Sequence, residues 1–460
     1  MIDYNLLTIQ NPWWQNRDSI KNDPKIKEFE NSSIKYLPEK ILNLRLKKGA
    51  INIISGPRQT GKSTAIKLLI SKLLEKNFPA ERIFYFNCDA LDSRKELIDL
   101  VLSFLEVIKE NNKTPLNYLF LDEISAVEDW PFAIKWLVDA GLLANSKIIL
   151  TGSSSINLKK SGEFLPGRRG GGVDIKFLPI SFAQFFRLLY PEFKMPKQIK
   201  TVRALKKLQA NLVKRGLNAK RLYNDFLFTG GFLKMIDLKL KKEPFASTVE
   251  LYINTLKSEL AKFGKKEVNC RQILKKIVTS LTSETSYSNI AEEAELGSKN
   301  TAVDYLNFFK DSFFLEEVLF YSIPQKRVVI KKNKKFYPTD PFLLWISQAF
   351  ILGTNQIENL YQKYLTNPLD SQLAEAFVLS ELYKREHEIY FYKNSKELDF
   401  YLSKKGLGVE AKYRTKIVSK DLKGLTLAKK KILVSKNTLE KRGDILIVPV
   451  HLFGFMTEYL

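Results

Sequence analysis

With 460 residues the chain has room for two or three separately cored domains, and 45% hydrophobic against 27% charged residues excludes a disordered chain. No apolar run approaches the ~20 residues that cross a bilayer. A formal charge of +24, concentrated in Lys200–Arg221, Lys326–Lys335 and the stretch after Tyr401, makes nucleic acid the first partner to consider, the rival reading of each cluster being a solubilising face.

The start, MIDYNLLTIQNPWW, lacks a basic region followed by an apolar stretch, so no secretory signal is expected. Cys88 and Cys270 stand far apart and supply neither metal-ligand spacing nor a disulfide framework, which suits the cytoplasm. The first 190 residues then alternate strands and helices in the manner of a parallel α/β sheet. Ala50–Ser55 is apolar enough for a buried strand, and Thr64–Asn77 for an amphipathic helix. Between them Gly56-Pro57-Arg58-Gln59-Thr60-Gly61-Lys62-Ser63 fits GxxxxGK[ST]. Glycines there let backbone amides turn inward onto phosphate oxygens, Lys62 reaches the β- and γ-phosphates, and the Ser63 hydroxyl is a Mg²⁺ ligand. The helix opening at Ser63-Thr64 lends its positive end. ATP with Mg²⁺ is the expected cofactor pair.

A second strand is expected at Arg82–Asn87 and a helix near Asp92–Glu110. Tyr118–Leu121 is a buried strand ending in Asp122-Glu123: Asp122 would hold Mg²⁺ and Glu123 would orient the attacking water as general base. Two acids favour hydrolysis over passive binding. Pro131–Ala140 opens as a helix with proline in its first turn, and Lys147–Leu150 is a fourth strand. Thr151-Gly152-Ser153-Ser154 ends that strand, where a hydroxyl such as that of Ser153 either senses the γ-phosphate or belongs to an ordinary turn. The Gly-rich loop Gly167–Gly172 leads to a short strand, Val173–Phe177, and a helix from Ser181. Within the loop, Arg168 and Arg169 are either an arginine finger for the nucleotide of a second copy of the chain or merely basic.

From Pro191 to Phe263 the pattern is helical and lysine-rich, broken at Gly230-Gly231, as in the helical lid that follows many ATPase cores. Val268–Ser283, Asn289–Glu295 and Ser298–Asp311 are helical and Phe313–Phe320 strand-like, the order of a winged helix-turn-helix. Ser298, Lys299 and Asn300 would head its recognition helix, in a module that docks DNA or protein. Tyr321–Pro341, lysine-rich with prolines, reads as a linker. The final hundred residues run from a helix, Ser371–Arg385, into strands Ile389–Lys393, Leu398–Leu402 and Leu407–Tyr413. There Asp399, Glu410 and Lys412 resemble the PD-(D/E)xK nuclease motif. Glu410 and Lys412 share one face of a strand, so two carboxylates would bind a divalent ion while Lys412 stabilises charge. The bland reading is a polar strand face.

Taken together, the motifs resemble the archaeal and bacterial AAA-type ATPases that end in a domain of unknown function. The likeness rests on Asn11-Pro12-Trp13-Trp14, GPRQTGKST, FLDEI, TGSSS, LPGRR, LPISFAQFF (Leu178–Phe186) and Gly230-Gly231. One departure is Phe232-Leu233 where that family often has proline. The resemblance implies an AAA+ core, a helical lid, a winged helix and a nuclease-like C-terminal fold, with Glu375 as the helical acid of the latter. Trp13 and Trp14 either line the adenine pocket or simply pack.

The expected fold class is therefore α/β: a P-loop NTPase parallel sheet (1–190), helical lid (191–265), winged helix-turn-helix (266–322), linker (323–360) and nuclease-like α/β domain (361–460). The expected activity is Mg²⁺-dependent ATP hydrolysis coupled to binding nucleic acid, DNA before RNA, with metal-dependent cleavage by the last domain. Partners would include a homo-oligomer with Arg168 acting in trans and exclude a membrane. The alternative is an ATP-driven switch that docks proteins and has no nuclease activity.

Overall fold

The computed structural model describes residues 4–109, 116–153, 167–365 and 370–460. Ser154 and Ser155 of TGSSS, Leu165 and Pro166 of LPGRR, and Glu110 at the expected helix end lie outside them. The chain divides into two compact units, one running to Leu178 and joined by Asp311–Phe313, the other holding Pro179–Lys310 and Phe314–Leu460.

In the first unit the helices α1 (Tyr4–Gln10), α2 (Pro24–Asn31) and α3 (Glu39–Leu42) precede an α/β layer. Five strands, β1 (Ile51–Ser55), β2 (Ile83–Asn87), β3 (Asn117–Asp122), β4 (Ser146–Gly152) and β5 (Asp174–Lys176), pair in parallel in the order β2-β3-β4-β1-β5. The apolar runs of β1 to β4 are continuous because both faces are covered, as parallel sheets require, whereas the edge strand β5, Asp174-Ile175-Lys176, is largely exposed. Alternation within each strand then sorts the side chains. Phe84, Phe86, Leu119 and Leu121 meet α5 (Arg94–Lys109) and α6 (Trp130–Asp139). Tyr85, Tyr118 and Phe120 meet α4 (Lys62–Glu75) and Trp13 on the other face. Lys62 therefore enters a helix whose apolar face, from Ala65 to Leu74, is buried against the sheet.

The second unit begins with α7 (Phe182–Leu189), started by a capping box between Ser181 and Gln184. Helices α8 (Val202–Lys214), α9 (Ala219–Thr229), α10 (Leu233–Lys241) and α11 (Ala246–Lys262) follow. Then come α12 (Glu267–Thr279), α13 (Tyr287–Glu293) and α14 (Lys299–Asp311). The chain continues through β6 (Leu315–Ser322), β7 (Arg327–Val328) and β8 (Lys335–Pro338). In place of the linker expected at 323–360, the structure has β7, β8, the buried helix α15 (Pro341–Leu352) and the start of α16 (Ile357–Leu365). α15 is apolar on nearly all sides and buries Trp345, whose indole N–H donates to the Leu227 carbonyl at 2.7 Å. The composition of 321–341 suggested solvent because its lysines were counted as surface charges, yet Lys334 and Lys335 are buried.

After α17 (Asp370–Tyr383) come β9 (Tyr390–Lys393), β10 (Glu397–Leu402), β11 (Leu407–Lys412), β12 (Lys430–Ser435), β13 (Glu440–Arg442) and β14 (Ile445–Pro449), then α18 (Val450–Met456). One mixed sheet runs β13-β14-β12-β11-β10-β9-β6-β7, with β8 also on β6. Strand β6, expected to close a separate module, thus pairs antiparallel with β8 and parallel with β9. Gly230-Gly231 has a steric reason: a Cβ on Gly231 would sit 2.0 Å from the Ile180 carbonyl oxygen, and its amide donates to Asp340 at 3.0 Å. Asp340 in turn pairs with buried Lys384 at 2.7 Å. No helix among the described residues is long and apolar enough to cross a membrane.

Candidate functional site

The loop between β1 and α4 wraps inward because two positions demand it. A side chain at Gly56 would strike the Phe177 carbonyl oxygen at 2.1 Å, and Gly61, the N-cap of α4, has φ +96°. Gln59 also takes a positive φ of 61°. Thr60 Oγ1 donates to the Pro57 carbonyl at 2.8 Å and pins the turn. Lys62, 4% exposed, donates to the carbonyls of Gly56 and Pro57 at 2.9 Å each and lies 3.8 Å from Glu123. Arg58, Ser63 and Thr64 complete the cradle in sequence, the last two in the first turn of α4, where unsatisfied amides face outward.

Asp122 ends the central strand β3, and its two neighbours each supply a hydroxyl. Tyr85 of β2 donates to Asp122 Oδ2 at 2.9 Å, and Thr151 of β4 donates to Oδ1. Thr151 Oγ1 also accepts the Glu123 amide at 2.9 Å, holding that residue in its left-handed conformation, φ 50°. The hydroxyl of this strand that reaches the acids is thus that of Thr151; Ser153 sits just past the strand end, buried. Behind Tyr85 stands Lys67 of α4, its ammonium 3.5 Å from the Tyr85 ring centroid and 3.1 Å from Asp23 Oδ2. Burial lowers the Lys67 pKa against the pull of Asp23, and burial with the Asp122 charge raises that of the Tyr85 hydroxyl, keeping it a proton donor. Sequence reasoning missed Tyr85, Lys67 and Asp23. A tyrosine two residues before the end of the strand beside the acids was the available signal.

Trp13 and Trp14 both donate their indole N–H to the Ile83 carbonyl at 2.9 Å, and Trp13 packs in the core cluster of α4. Theirs is a packing role along β2. Arg168 pairs with Asp139 at 2.6 Å and Arg169 with Asp174 at 2.7 Å.

In the second unit, β10 and β11 bring Asp399, Glu410 and Lys412 together, and α17 brings Glu375. Lys412 lies 2.6 Å from Glu410 Oε1 and 3.4 Å from Asp399 Oδ2. The carboxylate oxygens have further partners. Glu410 Oε2 accepts the Asp399 amide at 3.1 Å, Asp399 Oδ2 the Ala411 amide at 3.0 Å, and Glu375 Oε1 the Tyr337 hydroxyl at 2.6 Å. Lys335 of β8, which the sequence reading left in the linker, inserts its ammonium 3.4 Å from both Asp399 Oδ1 and Glu375 Oε1. Burial, then Asp399, pushes Glu410 up to about 8 and Glu375 up to about 7; burial also opposes the Asp399 charge, but Lys335 and Lys412 hold Asp399 below the usual range. Among the described residues no group of three or more His, Cys, Asp and Glu side chains is arranged to hold a metal ion. The expected divalent site at Asp399 and Glu410 is not matched by the donors present. A cleft of about 510 Å³ opens onto the cluster, lined by Glu375 and Lys412 together with Arg414, Lys436, Ser371 and Gln372.

Residues 48–186 match the AAA domain family, while residues 220–350 and 371–453 match two domains of unknown function, DUF8612 and DUF4143. An uncharacterized protein of Methanocaldococcus jannaschii is 26% identical over 302 residues, 63% of this chain and 61% of its own length, so the chain spans under two thirds of that relative. An uncharacterized Haemophilus influenzae protein is 25% identical over 366 residues, covering 76% of this chain and 78% of its own. Among solved structures, the Walker-type ATPase of Pyrococcus abyssi aligns over 72% of this chain and 97% of its own at 15% identity and TM-score 0.41. The Aeropyrum pernix ORC1 protein, solved in complex with DNA, aligns over 77% and 98% at 12% identity and TM-score 0.34. The family match and the strand order with its loop agree on an AAA-type P-loop ATPase domain that binds and hydrolyses ATP.

Proposed function

We propose that this ATPase couples Mg²⁺-dependent turnover to holding nucleic acid, DNA before RNA, through a winged helix built from α12, α13, α14 and β6 to β8. In the nucleotide site Lys62 and the loop amides bind the β- and γ-phosphates. Ser63 and Asp122 would hold the metal, which supplies charge neutralisation on the phosphates when bound. Glu123 accepts the proton of the attacking water, and the Thr151 bond to its backbone fixes where that carboxylate starts. Tyr85 and Thr151 orient Asp122 without neutralising it.

One observation carries the nucleic-acid reading. The connection from β6 to β8 exposes Lys326, Arg327, Lys331 and Lys332 and has no acid, in a unit where the N-terminal residues Ser298, Lys299 and Asn300 of α14 are also exposed. An isolated bridge from Thr285 to Lys334 ties that connection to the turn before α13, as a wing is tied. Fluorescence anisotropy with a labelled duplex, titrated across salt, tests this. Replacing Lys331 and Lys332 by glutamate is expected to weaken binding and make the log–log salt dependence shallower by roughly two. Affinity indifferent to both salt and the substitutions overturns the reading.

A specific feature favours a second function, the protein-docking switch. Helix α6, which follows the Walker B acids, exposes Phe132 to 37% and Trp136 to 49%, one turn apart. ATP turnover unmoved by DNA but lost in its response to a protein partner on Trp136→Ser would select it. In either version Arg168 would leave Asp139 to serve a second copy. Mixing Arg168→Ala with Lys62→Ala protein and assaying for altered turnover tests that step.

A further inference from the structure

The C-terminal carboxylates sit where a nuclease would keep a divalent ion, yet the chain supplies its own cation. We infer that Lys335 is the resident counter-ion of Glu375, Asp399 and Glu397, an ammonium standing in the place of a metal, so that this cluster takes no divalent ion in the native protein.

The placement is structural rather than incidental. Lys335 lies in β8, and the pairing of Val318 with Lys335 fixes its backbone in the ladder. Its side chain is 2% exposed, with the ammonium 3.2 Å from Glu397 Oε1 and 3.4 Å from both Glu375 Oε1 and Asp399 Oδ1. A buried ammonium keeps its charge most readily beside acids, and buried acids keep theirs most readily beside a cation, so each half of the arrangement supports the other. Lys412 pairs with Asp399 and Glu410, whereas Lys335 is the ammonium that faces Glu375 and Glu397.

The oxygens tell the same story. A small divalent ion demands several open carboxylate or water oxygens in a nearly regular shell. Here Asp399 spends Oδ1 on Lys335 and Oδ2 on the Ala411 amide and Lys412. Glu410 spends Oε1 on Lys412 and Oε2 on the Asp399 amide. A metal entering between them would meet two ammonium groups at contact range.

The test is Mn²⁺ binding to full-length, nucleotide-free protein, read by electron paramagnetic resonance of the free ion. Wild type and Asp399→Asn are expected to give the same titration up to about 1 mM, the weak end of protein sites for such ions. Lys335→Gln, which frees Glu375 Oε1, Glu397 Oε1 and Asp399 Oδ1 from their shared ammonium, is expected to gain one site roughly tenfold tighter, as those oxygens become ligands. The gained site should vanish in Lys335→Gln/Asp399→Asn. Wild-type binding that weakens on Asp399→Asn overturns the inference, and so does a folded Lys335→Gln protein that gains nothing. Should Lys335→Gln fail to fold, the wild-type and Asp399→Asn titrations decide alone.

Discussion

Two carboxylate sites in one chain, each on a sheet, are held by opposite kinds of donor. At the end of β3, Asp122 is gripped by hydroxyls from Tyr85 and Thr151, which fix its orientation and leave its charge intact. On β10 and β11, Asp399 and Glu410 are gripped by the ammonium groups of Lys335 and Lys412, which cancel the charge they orient. A neutral donor prepares a carboxylate to receive a cation, whereas a charged donor is that cation. The same residue type, at a strand end in one sheet and within a strand in the other, therefore has two fates, set by what its neighbours supply.

The comparison breaks first at the nucleotide site. Glu123→Gln is expected to cut turnover by roughly 10²- to 10⁴-fold while leaving nucleotide affinity within about threefold, as measured by phosphate release and by titration with labelled nucleotide. Turnover that survives would remove the general base from that strand end. The second unit is tested by Lys384→Met. Asp340 and Glu381, both fully buried, then lose the ammonium at 2.7 Å and 3.5 Å, at a cost of about 3–5 kcal/mol, visible as a lower calorimetric transition with nucleotide binding intact.

Acid sharpens the contrast further, because both histidines, His387 and His451, belong to the second unit. Burial, aided by Lys220, pushes His451 down to about 4 from its ordinary 6.5. The folded chain thus refuses a proton that the unfolded chain accepts. That contribution is complete above pH 6.5 and is lost as pH falls towards 4, about 2 kcal/mol by pH 5. His387 is lowered to about 4 as well, while the raised Glu375 and Glu410 act in the opposite sense. The His451 share is therefore read by difference: between pH 7 and pH 5, chemical denaturation should show His451→Phe losing about 2 kcal/mol less stability than wild type. Smallest is Tyr85→Phe, which removes one hydroxyl from Asp122: turnover should fall roughly tenfold, with nucleotide affinity retained.

The parts legible in the sequence were those in which residue type and local geometry are inseparable. GPRQTGKS demands a turn onto a helix end, and Asp122-Glu123 closes an apolar strand, so both were placed without any tertiary knowledge. Tyr85 was not, and the hydroxyl expected at Thr151–Ser154 was not narrowed to Thr151, since each acts across the sheet. The register that sets Asn87 beside Asp122 puts Tyr85 on the same face, and register is invisible in one chain's spelling. Lys335 was hidden for a different reason. A lysine in a basic stretch reads as solvated, and only the closure of β8 onto β6 shows it facing inward. Trp13 and Trp14 announced importance by their size, and their indole bonds to Ile83 explain it as packing.

Because β6 is bonded along one edge to β8 and along the other to β9, the three-helix module and the C-terminal sheet have no seam at which to be cut. Expressing residues 361–460 alone would strip β9 of β6, one of its two partner strands, and take Lys335 away from the acids it neutralises. Such a fragment would expose a bare sheet edge and an uncompensated cluster, and its solution behaviour, including any affinity for metal, would be that of the fragment and not of the whole chain.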